Sequence, residues 1–138
     1  MGAVFEHKCN SCGYSVSTSG PWEFYRKKNG RMEPYGHPVP VSKEAQERGI
    51  YGLYGNLYCP ICDATHEIIL VEFKEPCRRS IQAWGGEFEP KDEYKKKDVV
   101  KCPSCDNTEL VLYPEAEKQL VCQHCRIGVM VGSMRFIC

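Results

Sequence analysis

Eight of the chain's ten cysteines stand in four Cys-x-x-Cys pairs, Cys9/Cys12, Cys59/Cys62, Cys102/Cys105 and Cys122/Cys125. A thiolate is a soft, charged donor, and two of them separated by two residues can grip one ion from a single tight turn. A second such turn completes a tetrahedron of sulfur. The pairs therefore supply ligands for two ions, and an all-sulfur tetrahedron suits Zn2+, so two Zn2+ are the expected cofactors. Four pairs can be grouped into two sites in three ways. Sequential grouping gives Cys9, Cys12, Cys59 and Cys62 in one site and Cys102, Cys105, Cys122 and Cys125 in the other; an alternating arrangement would interleave them into one cross-braced domain. The sixteen residues between Cys105 and Cys122 fit two knuckles sharing an ion, which makes sequential grouping the expectation.

The elements around the second half support that choice. Glu109 to Tyr113 and Lys118 to Val121 read as strands joined by a turn at 114–117, and the β-prone run 128–137 supplies a third strand. Residues 102–125 resemble a zinc ribbon, with Cys102-Pro103-Ser104-Cys105 and Cys122-Gln123-His124-Cys125 as its knuckles. The resemblance implies a fold and a metal but no single function, since ribbons serve transcription factors, ribosomal proteins and enzyme appendages alike. The residue after each knuckle is a further check, because the backbone there often turns left-handed. Gly13 suits that turn, Asp63 and Asp106 tolerate it, and Arg126 fits it worst, so Gly128 is expected to absorb the last turn.

The first half repeats the theme. His7-Lys8-Cys9-Asn10-Ser11-Cys12 mirrors Val100-Lys101-Cys102-Pro103-Ser104-Cys105, as two copies of one unit would. Forty-six residues separate Cys12 from Cys59, and this insertion is rich in aromatic residues and glycine. Asn29-Gly30 predicts a hairpin within Trp22 to Tyr35. Ser42 predicts the cap of a short helix over Lys43 to Arg48 that ends at Gly49, and Tyr51 to Gly55 reads as a loop. His66 to Phe73 reads as a buried strand ended by Pro76. The aromatics either fill the insertion's own core, the favoured reading, or present a platform to a partner. In the second case Trp22, Tyr25, Arg26, Lys27, Arg31, Tyr51 and Tyr54 are the partner-binding residues. The charged stretch 87–98 reads as a linker, with Trp84 packing back on the first unit.

The expected fold is therefore small, mainly β and metal-stabilised. It comprises two zinc ribbons with three-stranded antiparallel sheets, an elaborated one at 1–90 and a plain one at 91–138. Neither is large enough to be stable unaided, whereas structural zinc supplies about 10–16 kcal/mol. Cys9-x-x-Cys12-Gly13-Tyr14 and Cys59-Pro60-Ile61-Cys62 also resemble the iron-binding loops of rubredoxin. That resemblance implies an electron-transfer Fe at Cys9, Cys12, Cys59 and Cys62.

Charge and composition narrow the function. Lys plus Arg equals Asp plus Glu, and each Zn2+ with four thiolates adds about −2, so the loaded chain is mildly acidic. Sequence-independent binding to nucleic acid normally draws on a basic excess, which here survives only in patches such as Lys95 to Lys97. An amino terminus without a basic start and long apolar run, together with paired thiols, predicts a cytoplasmic protein. Four cysteines close a zinc shell, so no enzyme is expected. The spare candidates are Cys77, Cys138, His7, His37, His66 and His124, of which His66 reads better as a strand residue or a partner of the ligands than as a base. The expected function is that of a zinc-binding adaptor offering surfaces to a protein or ribonucleoprotein partner, with nucleic-acid binding as a subordinate version and electron transfer as the alternative.

Overall fold

The computed structural model describes residues 3–36, 40–77, 100–113 and 120–137. The amino-terminal run Ala3–Cys9 forms β1, in which Ala3, Phe5, His7 and Cys9 are buried while Lys8 is exposed. This period of two marks a strand with one face on a core. β2 (Ser15–Arg26) turns back on it antiparallel, from Ala3 opposite Gly20 to Lys8 opposite Ser15. The remaining elements are β3 (Met32–Pro34), α1 (Lys43–Arg48), β4 (Ile50–Cys59), β5 (Ala64–Cys77), β6 (Leu120–Val121) and β7 (Val129–Ile137). Together the strands form one curled antiparallel sheet in the order β5-β4-β2-β1-β7-β6, with β3 paired to β2.

Two local expectations hold. β2 and β3 form a hairpin around residues 27–31, where Gly30 takes φ +85° and the Asn29 side chain accepts from the Arg31 N–H at 2.9 Å. The turn is closed by the Gly30 N–H donating to the Lys27 carbonyl at 2.8 Å and the Lys27 N–H donating to the Arg31 carbonyl at 3.0 Å. Ser42 Oγ accepts from the Ala45 N–H at 3.1 Å and Gly49 ends α1 at φ +84°. Ala45, fully buried, seats the helix on a cluster with Tyr25, Tyr35, Ile50 and Phe73.

Elsewhere the sheet overrides the sequence pattern. Residues 51–55 are no loop but the middle of β4. Gly52 is needed there because a Cβ would lie 2.1 Å from the Val71 carbonyl oxygen and 2.8 Å from the Phe24 ring. β5 runs through Pro76 to Cys77, as Pro can at a sheet edge. In the second half, residues 109–113 form only a single bridge, Val111 to Tyr58, instead of a strand of a carboxy-terminal hairpin. The expected third strand exists as β7, but seven of its residues pair with β1 and only two with β6. The turn at 114–117, the linker at 87–98, Trp84 and the 90/91 boundary lie outside the described residues.

One buried polar chain fastens this sheet to the segment bearing Cys102 and Cys105. Phe5 pairs with Thr18, which places Thr18 diagonal to His7 on the same face. Thr18 Oγ1 donates to the Leu112 carbonyl at 2.6 Å, so its oxygen accepts from His7 Nε2 at 2.9 Å. Burial holds the His7 pKa below its ordinary value, and a backbone contact to Leu112 only partly opposes it. Replacing Thr18, only 1% exposed, with Val leaves two buried polar groups without their partner. Denaturant unfolding of Thr18→Val is expected to show a loss of about 1–3 kcal/mol, whereas Thr18→Ser keeps most of the stability.

Candidate metal centres

Each cysteine pair sits in a tight turn: at the ends of β1 and β4, in the irregular segment before residue 107, and between β6 and β7. The turns are built alike. The N–H of Gly13 donates to the Cys9 carbonyl, that of Asp106 to Cys102 and that of Arg126 to Cys122. The amides of Ser11 and Cys12 point at Cys9 Sγ, and that of Ser104 at Cys102 Sγ. The Lys-Cys-x-Ser-Cys repeat thus marks a shared knuckle. The residue after every knuckle is left-handed, with φ +79° at Gly13, +53° at Asp63, +62° at Asp106 and +61° at Arg126. Arg126 makes the turn itself, so the expectation that Gly128 would absorb it is corrected.

The knuckles combine first with fourth and second with third. Cys9, Cys12, Cys122 and Cys125 form one quartet, Cys59, Cys62, Cys102 and Cys105 the other, and within each the sulfurs lie within 4.8 Å of one another. This overturns the sequential grouping and also differs from the alternating one. The reason is strand adjacency: β7 lies beside β1, which brings Cys122 and Cys125 to Cys9, while the Val111–Tyr58 bridge brings the 102–105 knuckle to the β4–β5 turn. Cys9, Cys12, Cys59 and Cys62 consequently do not make one site, and the rubredoxin-like iron centre proposed on them has no counterpart in the fold.

The spacing matches a closed shell. Sulfurs bound about 2.3 Å from a central ion stand about 3.8 Å apart at the corners of a tetrahedron. The sulfur separations are 3.6 Å for Cys9–Cys125, 3.7 Å for Cys12–Cys122, 3.6 Å for Cys59–Cys105 and 3.8 Å for Cys62–Cys102. Disulfides would bring sulfur to about 2.0 Å, and all eight cysteines are free. Both quartets can therefore hold a metal ion. The first cysteine of every pair is buried, whereas Cys12 and Cys105 reach solvent.

Protons are shared unevenly within each quartet. For Cys59, burial pushes the pKa up, but the Cys62 amide and the Asn107 side chain, whose Nδ2 lies 3.6 Å from Cys59 Sγ, bring it down to about 6. The amides of Gly128 and Ile127 lower Cys125 to about 6. Cys62 is pushed up to about 12 by its hydrogen bond to Cys105 and by burial. At Cys12 a backbone contact to Tyr14 lowers the pKa, but burial and three neighbouring thiols carry it up to about 12.

Gly128 serves the first quartet by its size. A Cβ there would lie 2.4 Å from Cys9 Sγ and 2.6 Å from Ser11 Cβ, so only glycine lets the outer knuckles close on one another. A hydrophobic cluster of Cys9, Cys122 and Met130, flanked by Tyr14, Val16 and Leu120, backs that quartet.

The residues considered as a partner surface do not converge. Tyr25 lies in the core, so it offers no surface. Arg26 is spent internally: its guanidinium makes two hydrogen bonds to Glu72 at 2.8 and 2.9 Å and a third to the Gly30 carbonyl. Arg31 pairs with Glu33, Tyr51 lies under Arg48, Tyr54 packs edge-on to Phe24, and Trp22 Nε1 donates to Ser19. Lys27 is half-buried beside the hairpin turn. His66 is a β5 residue opposite Leu57, and its Nε2 is buried with no hydrogen-bond partner among the described residues. His37, Cys138 and the side chain of Cys77 lie outside the described residues.

Asp63, Tyr14, Tyr58 and His124 escape sequence reasoning as parts of the centre. Tyr58 and Tyr14 both donate to Asp63 Oδ1, at 2.6 and 3.1 Å, and Tyr14 stacks on His124. Burial first, and Asp63 second, raise both phenol pKa values, so both hydroxyls stay protonated donors. Their nearness to knuckles was the only signal available. No protein-family model matches the chain, and neither the curated proteins nor the solved structures give a significant match.

Two outcomes test the geometry. Because protons compete with metal for the same sulfurs, and Cys12 and Cys62 hold theirs at neutral pH, adding a thiophilic divalent ion to metal-free protein at pH 7 is expected to release protons. Chelator-detected loss of bound ion should then rise as pH falls. Elemental analysis of Gly128→Ala is expected to show about one ion fewer per chain, with the Cys59, Cys62, Cys102 and Cys105 quartet still loaded.

Proposed function

We propose that this chain is a zinc-stabilised, non-catalytic interaction module that offers its surfaces to a protein or ribonucleoprotein partner in the cytoplasm. One observation carries the reading: two quartets made wholly of cysteine, each at tetrahedral spacing, in which the first cysteine of every pair is buried. Four sulfurs close the shell and leave no position for an activated water, the arrangement expected of a structural rather than a catalytic ion. Bound Zn2+ would neutralise half of each quartet's charge and hold its two knuckles together. On this reading each site is built from two cysteine knuckles that come together across the fold rather than in series.

The interaction half of the proposal draws on the outer surface. Ile61, 70% exposed, sits inside the Cys59–Cys62 knuckle, and Ile127, 83% exposed, follows the Cys122–Cys125 knuckle. Val121 and Val131 are exposed on neighbouring strands β6 and β7. Large apolar side chains held out by rigid, metal-pinned turns are suited to contact another macromolecule. Among the described residues no helix is long and apolar enough to cross a membrane.

Elemental analysis of protein purified from its native cell is expected to give two zinc equivalents in a colourless sample. Removing them with a chelator should abolish cooperative unfolding. Iron, with colour that bleaches on reduction, would instead support electron transfer. Affinity purification at low salt is expected to recover a reproducible complex. RNA and DNA titrations in the same buffer decide the nucleic-acid version, which requires binding that weakens steeply with salt.

A further inference from the structure

The two quartets meet at a single carboxylate. Asp63 follows Cys62 directly and is held at φ +53° by the knuckle it terminates. Its Oδ1 accepts the Tyr58 hydroxyl at 2.6 Å and the Tyr14 hydroxyl at 3.1 Å. Tyr58 immediately precedes Cys59, and its backbone exchanges two hydrogen bonds of 2.9 Å with Val111, in the segment that carries Cys102 and Cys105. Tyr14 lies just beyond Cys12, where its carbonyl accepts from the Cys9 amide at 2.7 Å. Its ring stacks on His124, within the fourth knuckle, at 5.1 Å and 16°. The side chains of Asp63 and Tyr14, together with the side chain and backbone of Tyr58, thereby connect all four knuckles.

We propose that Asp63 couples the two metal sites, so that an ion held by one quartet raises the affinity of the other. The inference rests on the reading that both quartets bind metal. The Tyr14–Asp63 hydrogen bond bridges the quartets, and it needs both ends in place: Asp63 in the left-handed conformation set by the Cys59–Cys62 turn, and Tyr14 fixed between the Cys9–Cys12 turn and His124. An ion that orders either end removes part of the cost of forming the bond, and the second ion gains by that amount. Linkage makes the gain reciprocal.

Chain connectivity contributes less. The quartets are nested in sequence, so closing the inner one shortens the loop the outer one must close by roughly half, an effect of about three-fold or less in affinity. A hydrogen bond to an ionised carboxylate is worth about ten-fold or more. The side-chain link therefore outweighs the connectivity effect, and it is the contribution that a hydroxyl deletion isolates.

The test uses the full chain, stripped of metal and titrated with chelator-buffered Zn2+, with native mass spectrometry counting molecules that carry no, one or two ions. Tyr14→Phe keeps every ligand and the ring that stacks on His124, and deletes only the hydroxyl that reaches Asp63. The second stepwise binding constant is expected to fall about ten-fold in Tyr14→Phe while the first changes little. Asp63→Asn, which tolerates the left-handed backbone but lacks the charge, should shift the same constant in the same direction. Equal second constants in wild type and both variants overturn the coupling. A wild-type chain that takes up fewer than two ions overturns the two-site reading beneath it, and that outcome is separately visible in the same spectra.

Discussion

Each knuckle brings two sulfurs and a tetrahedral ion needs four, so no knuckle is complete without another. Everything distinctive in this fold follows from how that requirement is met across long stretches of sequence. The outer quartet spans from Cys9 to Cys125, the inner one from Cys59 to Cys105. Strands β1 and β7, almost at opposite ends of the described chain, lie side by side, and their knuckles share one cluster of sulfur. The clustering of cysteine and the pairing of strands are the same constraint seen at two scales.

The local chemistry was legible in the sequence. The cysteine spacing marked the residues that cluster as candidate ligands, Ser42 and Gly49 gave the limits of α1, and Asn29-Gly30 gave the β2–β3 turn, because each depends on residues within a few positions of one another. The left-handed residue after each knuckle was also readable at Gly13, Asp63 and Asp106. At Arg126 the knuckle's hydrogen bond overrode a weak preference that costs about 1–2 kcal/mol.

What failed was long-range pairing. A spacing of sixteen residues between Cys105 and Cys122 permits a shared ion but does not require one. Which knuckles meet is decided by which strands become neighbours, and no local pattern encodes that β7 prefers β1 to a hairpin of its own. The same blindness hid the role of Gly128, whose lack of a side chain matters only because Cys9 arrives from far away in the chain. Nor does any local pattern choose between the two readings of the insertion: the sheet turns Tyr25 into the core, as the favoured one had it, and Arg26 onto Glu72.

The nesting of the two quartets has a bearing on synthesis. A ribosome working from the amino terminus supplies Cys105 before Cys122, so the inner quartet can assemble while the outer still lacks half its ligands. Cys9 and Cys12, the earliest of these thiols to emerge, are the last to be enclosed. Throughout that interval they stand open to stray metals, oxidants and foreign thiols. Such non-local closure is expected to slow folding, since the entropy of bringing distant segments together is lost before the contacts that reward it are made.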